Sequence, residues 1–520
     1  MPQEQLSDDA VASPPAQPDP LVSVTNLADL VTYQANVRPH GVALVKPAPE
    51  RQALTWSELE TQVSAVAAGL AAHGLVAGHR VALHGPNSVE FVVAYFAALR
   101  AGFVCVPLNP DATADELQTM LHDSGARAVL SAGEVDVAGV RVLPLTPAGL
   151  AALAADGVGP VLSPPDREAL AVLLYTAGTS GDPKAAMLTH RALLSHLEHL
   201  ASFAIADSDT VVLALLPLFH VFGLNAVLGT WVLAGATLVV EDGPDDMLRI
   251  IAEEHVTNLP VAPSILFRLL QHDDLAAQLT GVQTVVSGAA PLTSSLESAF
   301  TERTGIRIEQ GYGLTEAAPG VTVTFGTKIS GPGHVGRALP GVELRIGDGS
   351  DEAEPAEIWI RGQNLFSGYW PDGHGGPDAD GWFATGDIGY LEAGELFLVD
   401  RARELIIVNG FNVYPAEVEN VIREVPGVDA VAVIGRPHER TGEQVVAFVA
   451  GTGISDEQIM DHCTERLARF KRPAEVFEVS ELPRGATGKI KKGALRQLMS
   501  TPRGPLLTSD QGTNAHGHGE

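Results

Sequence analysis

The chain has 520 residues, too many for one hydrophobic core, so several packed units are expected. Its 33 Lys and Arg against 63 Asp and Glu give a net charge of −30, which excludes a nucleic-acid surface built from clustered cations. Two cysteines, Cys105 and Cys463, are too few for a disulfide framework and suit a reducing cytoplasm.

Residues 1–24 are proline-rich and polar and are expected to be disordered, with no basic start or apolar run of a signal peptide. From residue 25 the pattern turns α/β. Thr55 and Glu58 form a capping-box pair before an apolar-periodic helix. Arg80 to His84 reads as a strand, Asn87 and Ser88 as caps of the next helix, and Phe103 to Pro107 as a second strand. Thr113 and Glu116 repeat the capping box, and Ala128 to Leu130 is a third strand. The alternation favours parallel sheets flanked by helices. Val221 to Val240 carries no charge over about the length of a membrane span. Gly223, Asn225, Gly229 and Gly235 interrupt it, so it reads as a buried helix, a turn and the strand Leu238 to Val240. Beyond Arg403 a small α+β pattern begins, with helices at 415–424 and 455–469 and strands at 429–434, 445–450 and 476–479. The tail 501–520 is again polar.

The strongest chemical signal is Tyr175-Thr176-Ala177-Gly178-Thr179-Ser180-Gly181-Asp182-Pro183-Lys184, after the apolar run Ala171 to Leu174. Glycines let the backbone approach an anion, hydroxyls donate, and lysine adds charge, which suits a polyphosphate. Pro183 and Ala185 flank the lysine where a Walker A loop needs Gly and Ser or Thr, so that class is excluded. Further along come Ser287-Gly288-Ala289-Ala290, then Gly311-Tyr312-Gly313-Leu314-Thr315-Glu316 after the strand-like Ile306 to Ile308. Thr385-Gly386-Asp387 follows in a polar loop, then Asp400-Arg401-Ala402-Arg403, Asn409-Gly410 and Thr487-Gly488-Lys489.

In this order and spacing the motifs resemble the adenylate-forming superfamily of acyl-CoA synthetases, peptide-synthetase adenylation domains and beetle luciferases, over roughly residues 25–500. The resemblance implies a large N-terminal region of stacked α/β subdomains (25–400) and a small mobile C-terminal α+β domain (401–500). It implies ATP, Mg²⁺ and coenzyme A as cofactors and co-substrates. Thr176, Gly178, Thr179, Ser180, Gly181, Lys184 and Thr315 would meet the phosphates. Gly288, Ala289 and Tyr312 would line the adenine pocket, and Asp387 and Arg401 would take the ribose. Glu316 would hold Mg²⁺, Lys489 and His220 would serve catalysis, Arg403 would be the hinge and Gly410 would line the CoA tunnel. Phe219, Val221, Phe222, Ala262 and Gly313 are the expected acyl pocket, apolar enough for a fatty or aryl acid. One pocket arginine, for which Arg268 is a candidate, would admit a short dicarboxylate such as malonate, and a carrier protein is the alternative acceptor. Lys471 and Arg472 are candidates to meet CoA phosphates. Ala185, Arg403 and Ala416 depart from the family's common residues.

Overall fold

In the computed structural model the described residues are 20–500, apart from 177–183, 242, 244, 402–403, 405, 409–410, 439–440, 468 and 486–487. Residues 20–24 were expected to be unstructured, and they are not. Pro20–Ser23 is one helical turn, and it is held because Leu21 and Val24 are buried against the core. The local start signals act as read. Thr55 and Thr113 each complete a capping box, on helices Trp56–Ala72 and Ala114–Ser124, and Ser88 caps Val89–Arg100. Asn87 is not the cap. Its amide donates to Leu216 O at 2.9 Å and its carbonyl accepts from Leu218 N, so it ties that helix start to the segment before His220.

Two sheets carry the N-terminal region. One has six strands, parallel except for the hairpin of Leu170–Thr176 with Lys184–Thr189. The other is a path of thirteen strands. Its centre is parallel and includes Val211–Ala214, Asn258–Val261, Thr284–Ser287 and Ile308–Gly313. Beyond Ile308–Gly313 the pairing becomes antiparallel through Gly320–Val323, His334–Ala338, Glu395–Arg401 and Phe383–Glu392. The helices between the sheets are apolar nearly all round: every residue of Phe91–Arg100 is buried. Trp56 and Trp231 stack there with ring centroids 4.9 Å apart, both fully buried.

The uncharged stretch Val221 to Val240 forms a π-helix, Phe222–Val227, a short α-helix, Leu228–Ala234, a left-handed Gly235 and the strand Thr237–Val240. No described helix is long and apolar enough to cross a membrane. The smaller C-terminal domain has its own core, made of residues between Ile406 and Met499. Helices Pro415–Arg423 and Asp456–Arg466 pack on a sheet centred on Gly442–Gly451. Cys105 and Cys463 are both free and buried, and burial pushes both thiols up.

Candidate active site

The parallel strands Thr284–Ser287 and Ile308–Gly313 end side by side, which brings Ser287-Gly288-Ala289-Ala290 next to Tyr312. Carboxyl ends of parallel strands are where α/β sheets bind ligands. The motif around Tyr312 was expected to follow a strand at 306–308; the strand is Ile308–Gly313 and includes Gly311, Tyr312 and Gly313. Ala289 holds φ at +68°, a left-handed conformation that costs a non-glycine residue energy and marks a constrained site. Gly288 is needed for space: a Cβ there would come within 2.8 Å of the Phe222 ring.

Asp387 was expected in a polar loop. It lies in the strand Phe383–Glu392, opposite Arg401, with a bulge one residue on between Ile388 and Gly389. Such a bulge re-aims side chains next to sites. Tyr312 Oη donates to Asp387 Oδ2 at 2.7 Å, and both residues are buried. The side chain of Arg401, and Arg403 and Gly410 entirely, lie outside what the structure describes.

Gly178, Thr179, Ser180 and Gly181 also lie outside the described residues, but both stems of their loop are placed. Thr176 pairs with Lys184, and its hydroxyl donates to Lys184 O at 3.3 Å. The Lys184 ammonium sits 5.4 Å from the centroid of the Tyr369 ring. Tyr369 Oη in turn donates to Glu316 Oε1 at 2.6 Å. Glu316 occupies a single 3₁₀ turn, Thr315–Ala317, and its carbonyl accepts from Phe366 N at 2.9 Å. Tyr369 therefore joins the phosphate-loop lysine to the carboxylate. Sequence reading missed it, although the aromatic pair Tyr369-Trp370 after Gly368 was a signal.

His220 precedes the π-helix, an uncommon element enriched at functional sites. Its Nδ1 accepts from Phe222 N at 3.3 Å, which leaves the ring proton on Nε2. Burial, and then the Lys489 ammonium, push its pKa down to about 4, so the imidazole is neutral at pH 7. Val221 and Ala262 are buried, Phe219 and Phe222 half-buried, and Gly313 exposed. Ala262 caps helix Pro263–Leu269. Arg268, on that helix, is paired with Asp245 at 2.6 Å and is half-exposed, so its charge is already engaged.

Lys489 reaches this cleft from the C-terminal domain. Its loop is closed by Gly485 N to Lys489 O at 2.7 Å and by Arg484 Nη1 to Gly488 O at 2.9 Å. A Cβ on Gly488 would come within 3.0 Å of Ser264 Oγ, so the loop is docked just beyond Ala262. Lys471 is held by Glu417 at 2.6 Å and Arg472 by the carbonyls of Leu467 and Thr464, so the two cations expected to meet CoA are engaged within their own domain.

Residues 31–370 match the AMP-binding enzyme family and 417–489 its C-terminal domain. Feruloyl-CoA synthase of an Amycolatopsis species is 35% identical over 487 residues, covering 89% of this chain and 97% of that protein. The long-chain-fatty-acid–CoA ligase FadD13 of Mycobacterium tuberculosis is 34% identical, covering 91% and 99%. ATP-bound MatB from Rhodopseudomonas palustris superimposes with a TM-score of 0.83 at 32% identity, covering 91% and 98%. The apo form of the same protein gives 0.72 at equal coverage, so the arrangement here is nearer to the ATP-bound form. The chain belongs to the AMP-binding enzyme family, among the acyl-CoA synthetases of the adenylate-forming superfamily.

Proposed function

We propose that this chain joins an apolar carboxylic acid to coenzyme A at the expense of ATP, in two steps at one cleft. The observation that carries the reading is the convergence there of the Tyr312–Asp387 pair, the Glu316–Tyr369–Lys184 set and the docked Lys489 loop beside His220. A carboxylate cannot transfer its acyl group directly because its leaving group would be oxide. Attack by the carboxylate oxygen on the α-phosphorus expels pyrophosphate and forms the acyl adenylate. The CoA sulfur then adds to the acyl carbon, and AMP leaves as the thioester forms.

Asp387 accepts the ribose hydroxyls, and Tyr312, fixed by its bond to Asp387, offers its face to adenine. Lys184 and the loop before it take the phosphates. Lys489 meets the charge that develops between carboxylate and α-phosphate, where a preorganised cation stabilises the transition state most. His220, neutral with its proton on Nε2, donates to the carboxylate and adds no competing charge. Glu316 would hold magnesium together with phosphate oxygens, since no three ligating side chains converge among the described residues and magnesium commonly takes one or two carboxylates plus phosphates. The ion supplies charge neutralisation. The acid is apolar because Val221, Phe222 and Ala262 form the wall. Arg268, the arginine that could meet a second carboxylate such as malonate, is turned to Asp245 in an exposed pair.

The test is a panel of acids from acetate through palmitate, benzoate, cinnamate and malonate. Acid-dependent exchange of labelled pyrophosphate into ATP, and thioester formation with CoA, are the two readouts. Apolar acids should give both. Exchange with malonate alone would overturn the acid class, and adenylate that clears only on adding a carrier protein would overturn the acceptor.

A further inference from the structure

Tyr369 touches two opposite charges that do not touch each other. Its hydroxyl donates to Glu316 Oε1 at 2.6 Å, and the Lys184 ammonium lies 5.4 Å from its ring centroid, within the range of a cation–π contact. No described carboxylate pairs with Lys184, and no described cation pairs with Glu316. One phenol stands between the two.

The backbone around Tyr369 is fixed on every side, so the phenol cannot drift out of this place. Residues 366–374 form a strap laid along the strand Lys184–Thr189. Ser367 N donates to Met187 O at 2.9 Å, Met187 N to Gly368 O at 3.0 Å and Trp370 N to Ala185 O at 2.9 Å. Gly368 holds φ at +89°, and a Cβ there would come within 2.0 Å of Gly373 O, so glycine is what lets the strap fold back on itself. One end is tied to the turn that carries Glu316, through Phe366 N to Glu316 O at 2.9 Å. Next to Tyr369, Trp370 Nε1 donates to Asp123 O at 3.0 Å, on helix Ala114–Ser124. A side chain held this firmly is suited to setting the positions of its neighbours.

We propose that Tyr369 is a positioning residue that keeps the phosphate lysine and the magnesium carboxylate from pairing while the nucleotide is absent. The proposal rests on the roles given above to Lys184 and Glu316 and deepens them. A lysine on its flexible stem would otherwise close onto a carboxylate so near. That pair would have to break before phosphate and metal could enter, and its cost would be taken from the affinity for Mg·ATP. The phenol prevents this from both sides. Its hydroxyl occupies one oxygen of Glu316 and, being neutral, leaves the carboxylate its charge and its other oxygen. Its ring holds the ammonium without cancelling its charge.

The experiment titrates Mg·ATP calorimetrically into the full chain, without acid or CoA, so that the result does not depend on which acid is activated. Tyr369→Phe removes one oxygen and keeps the ring beside Phe366. It should weaken Mg·ATP binding about tenfold, the size of one hydrogen bond to a charged group, and Tyr369→Leu, which also removes the ring, should weaken it further. Lys184→Gln should weaken binding by itself. On that background Tyr369→Phe should cost less than about twofold, because no cation remains for Glu316 to close on. The melting temperature of each variant, measured without nucleotide, separates this from a role in packing. A packing residue would lower the melting temperature and cost the same affinity on both backgrounds. An unchanged affinity in Tyr369→Phe, or an equal loss with and without Lys184, overturns the proposal. If Lys184→Gln alone leaves the affinity unchanged, the phosphate role of Lys184 falls first and the proposal falls with it.

Discussion

The two domains bring opposite kinds of residue to the cleft. The N-terminal region holds its groups inside the core. Asp387 and Tyr312 are buried and bonded to each other, Glu316 is gripped by Tyr369, and the wall behind them is clamped by Asn225 and Asn364. The C-terminal domain presents an exposed Lys489 on a loop closed by Gly485 N to Lys489 O and Lys491 N to Pro483 O, docked by the close approach of Gly488 to Ser264. Groups that bind are built where they cannot shift. Under the proposed reaction, the charge needed in only one of two steps would be carried by the part that could leave, a division suited to a hinge motion. Lys492 strengthens this contrast. It bonds Glu404 and Glu419 at 2.8 Å each, which ties the segment just after Arg403 to the last helix of the small domain. A pivot at Arg403 would then lie immediately before a rigid anchor.

Several changes would break or sharpen this comparison, and the largest is acid. His190 and His196, both buried in the N-terminal region, have pKa values pushed down by burial to about 4 and about 3. The unfolded chain therefore binds more protons below about 6.5, so their contribution to stability is present above that pH and lost as pH falls towards 4. At pH 5 the two together should cost up to about 4 kcal/mol, read as a lower thermal midpoint than at pH 7.5. An unchanged midpoint would mean that these rings are not held neutral. Next in size is Asp387→Ala. Loss of charge-assisted hydrogen bonds to the ribose should cost about 2–3 kcal/mol in kcat/KM for ATP. If that constant holds in a folded variant, Asp387 serves only to anchor Tyr312. Asn364→Ala leaves two buried carbonyls unpaired and should lower unfolding stability by about 1–3 kcal/mol in a denaturant titration. The smallest effect is expected at Ala289→Gly. Relief of the left-handed backbone, about 1–2 kcal/mol, slightly exceeds the flexibility that glycine adds to the unfolded chain. The variant should gain less than about 1 kcal/mol, and a loss would mean that the Ala289 methyl packs on something essential.

What the sequence made legible was whatever is local. The capping boxes at Thr55–Glu58 and Thr113–Glu116 need only four residues, and both form as read. The motifs that carry the family resemblance could be read by order and spacing even where their secondary structure could not. Asp387 was misread as a loop residue because its strand is fixed by pairing with Glu395–Arg401 across a hairpin and distorted by a bulge, neither of which leaves a two-residue alternation. Tyr369, Asn225 and Asn364 were not assigned functions because their partners lie 53, 93 and 47 residues away. The pairing of Arg268 was hidden for the same reason: its partner, Asp245, lies 23 residues back on a different segment.

The central claim is that binding and charge delivery are divided between the domains, and Lys489→Ala tests it most directly by separating the two half-reactions. Acid-dependent pyrophosphate exchange should fall about 10²–10³-fold, the size expected for one preorganised charge. Thioester formation from supplied acyl adenylate and CoA should stay within a few-fold of the unaltered protein. Equal losses in both half-reactions would contradict the account, because Lys489 would then belong to the fixed site and not to the part that departs.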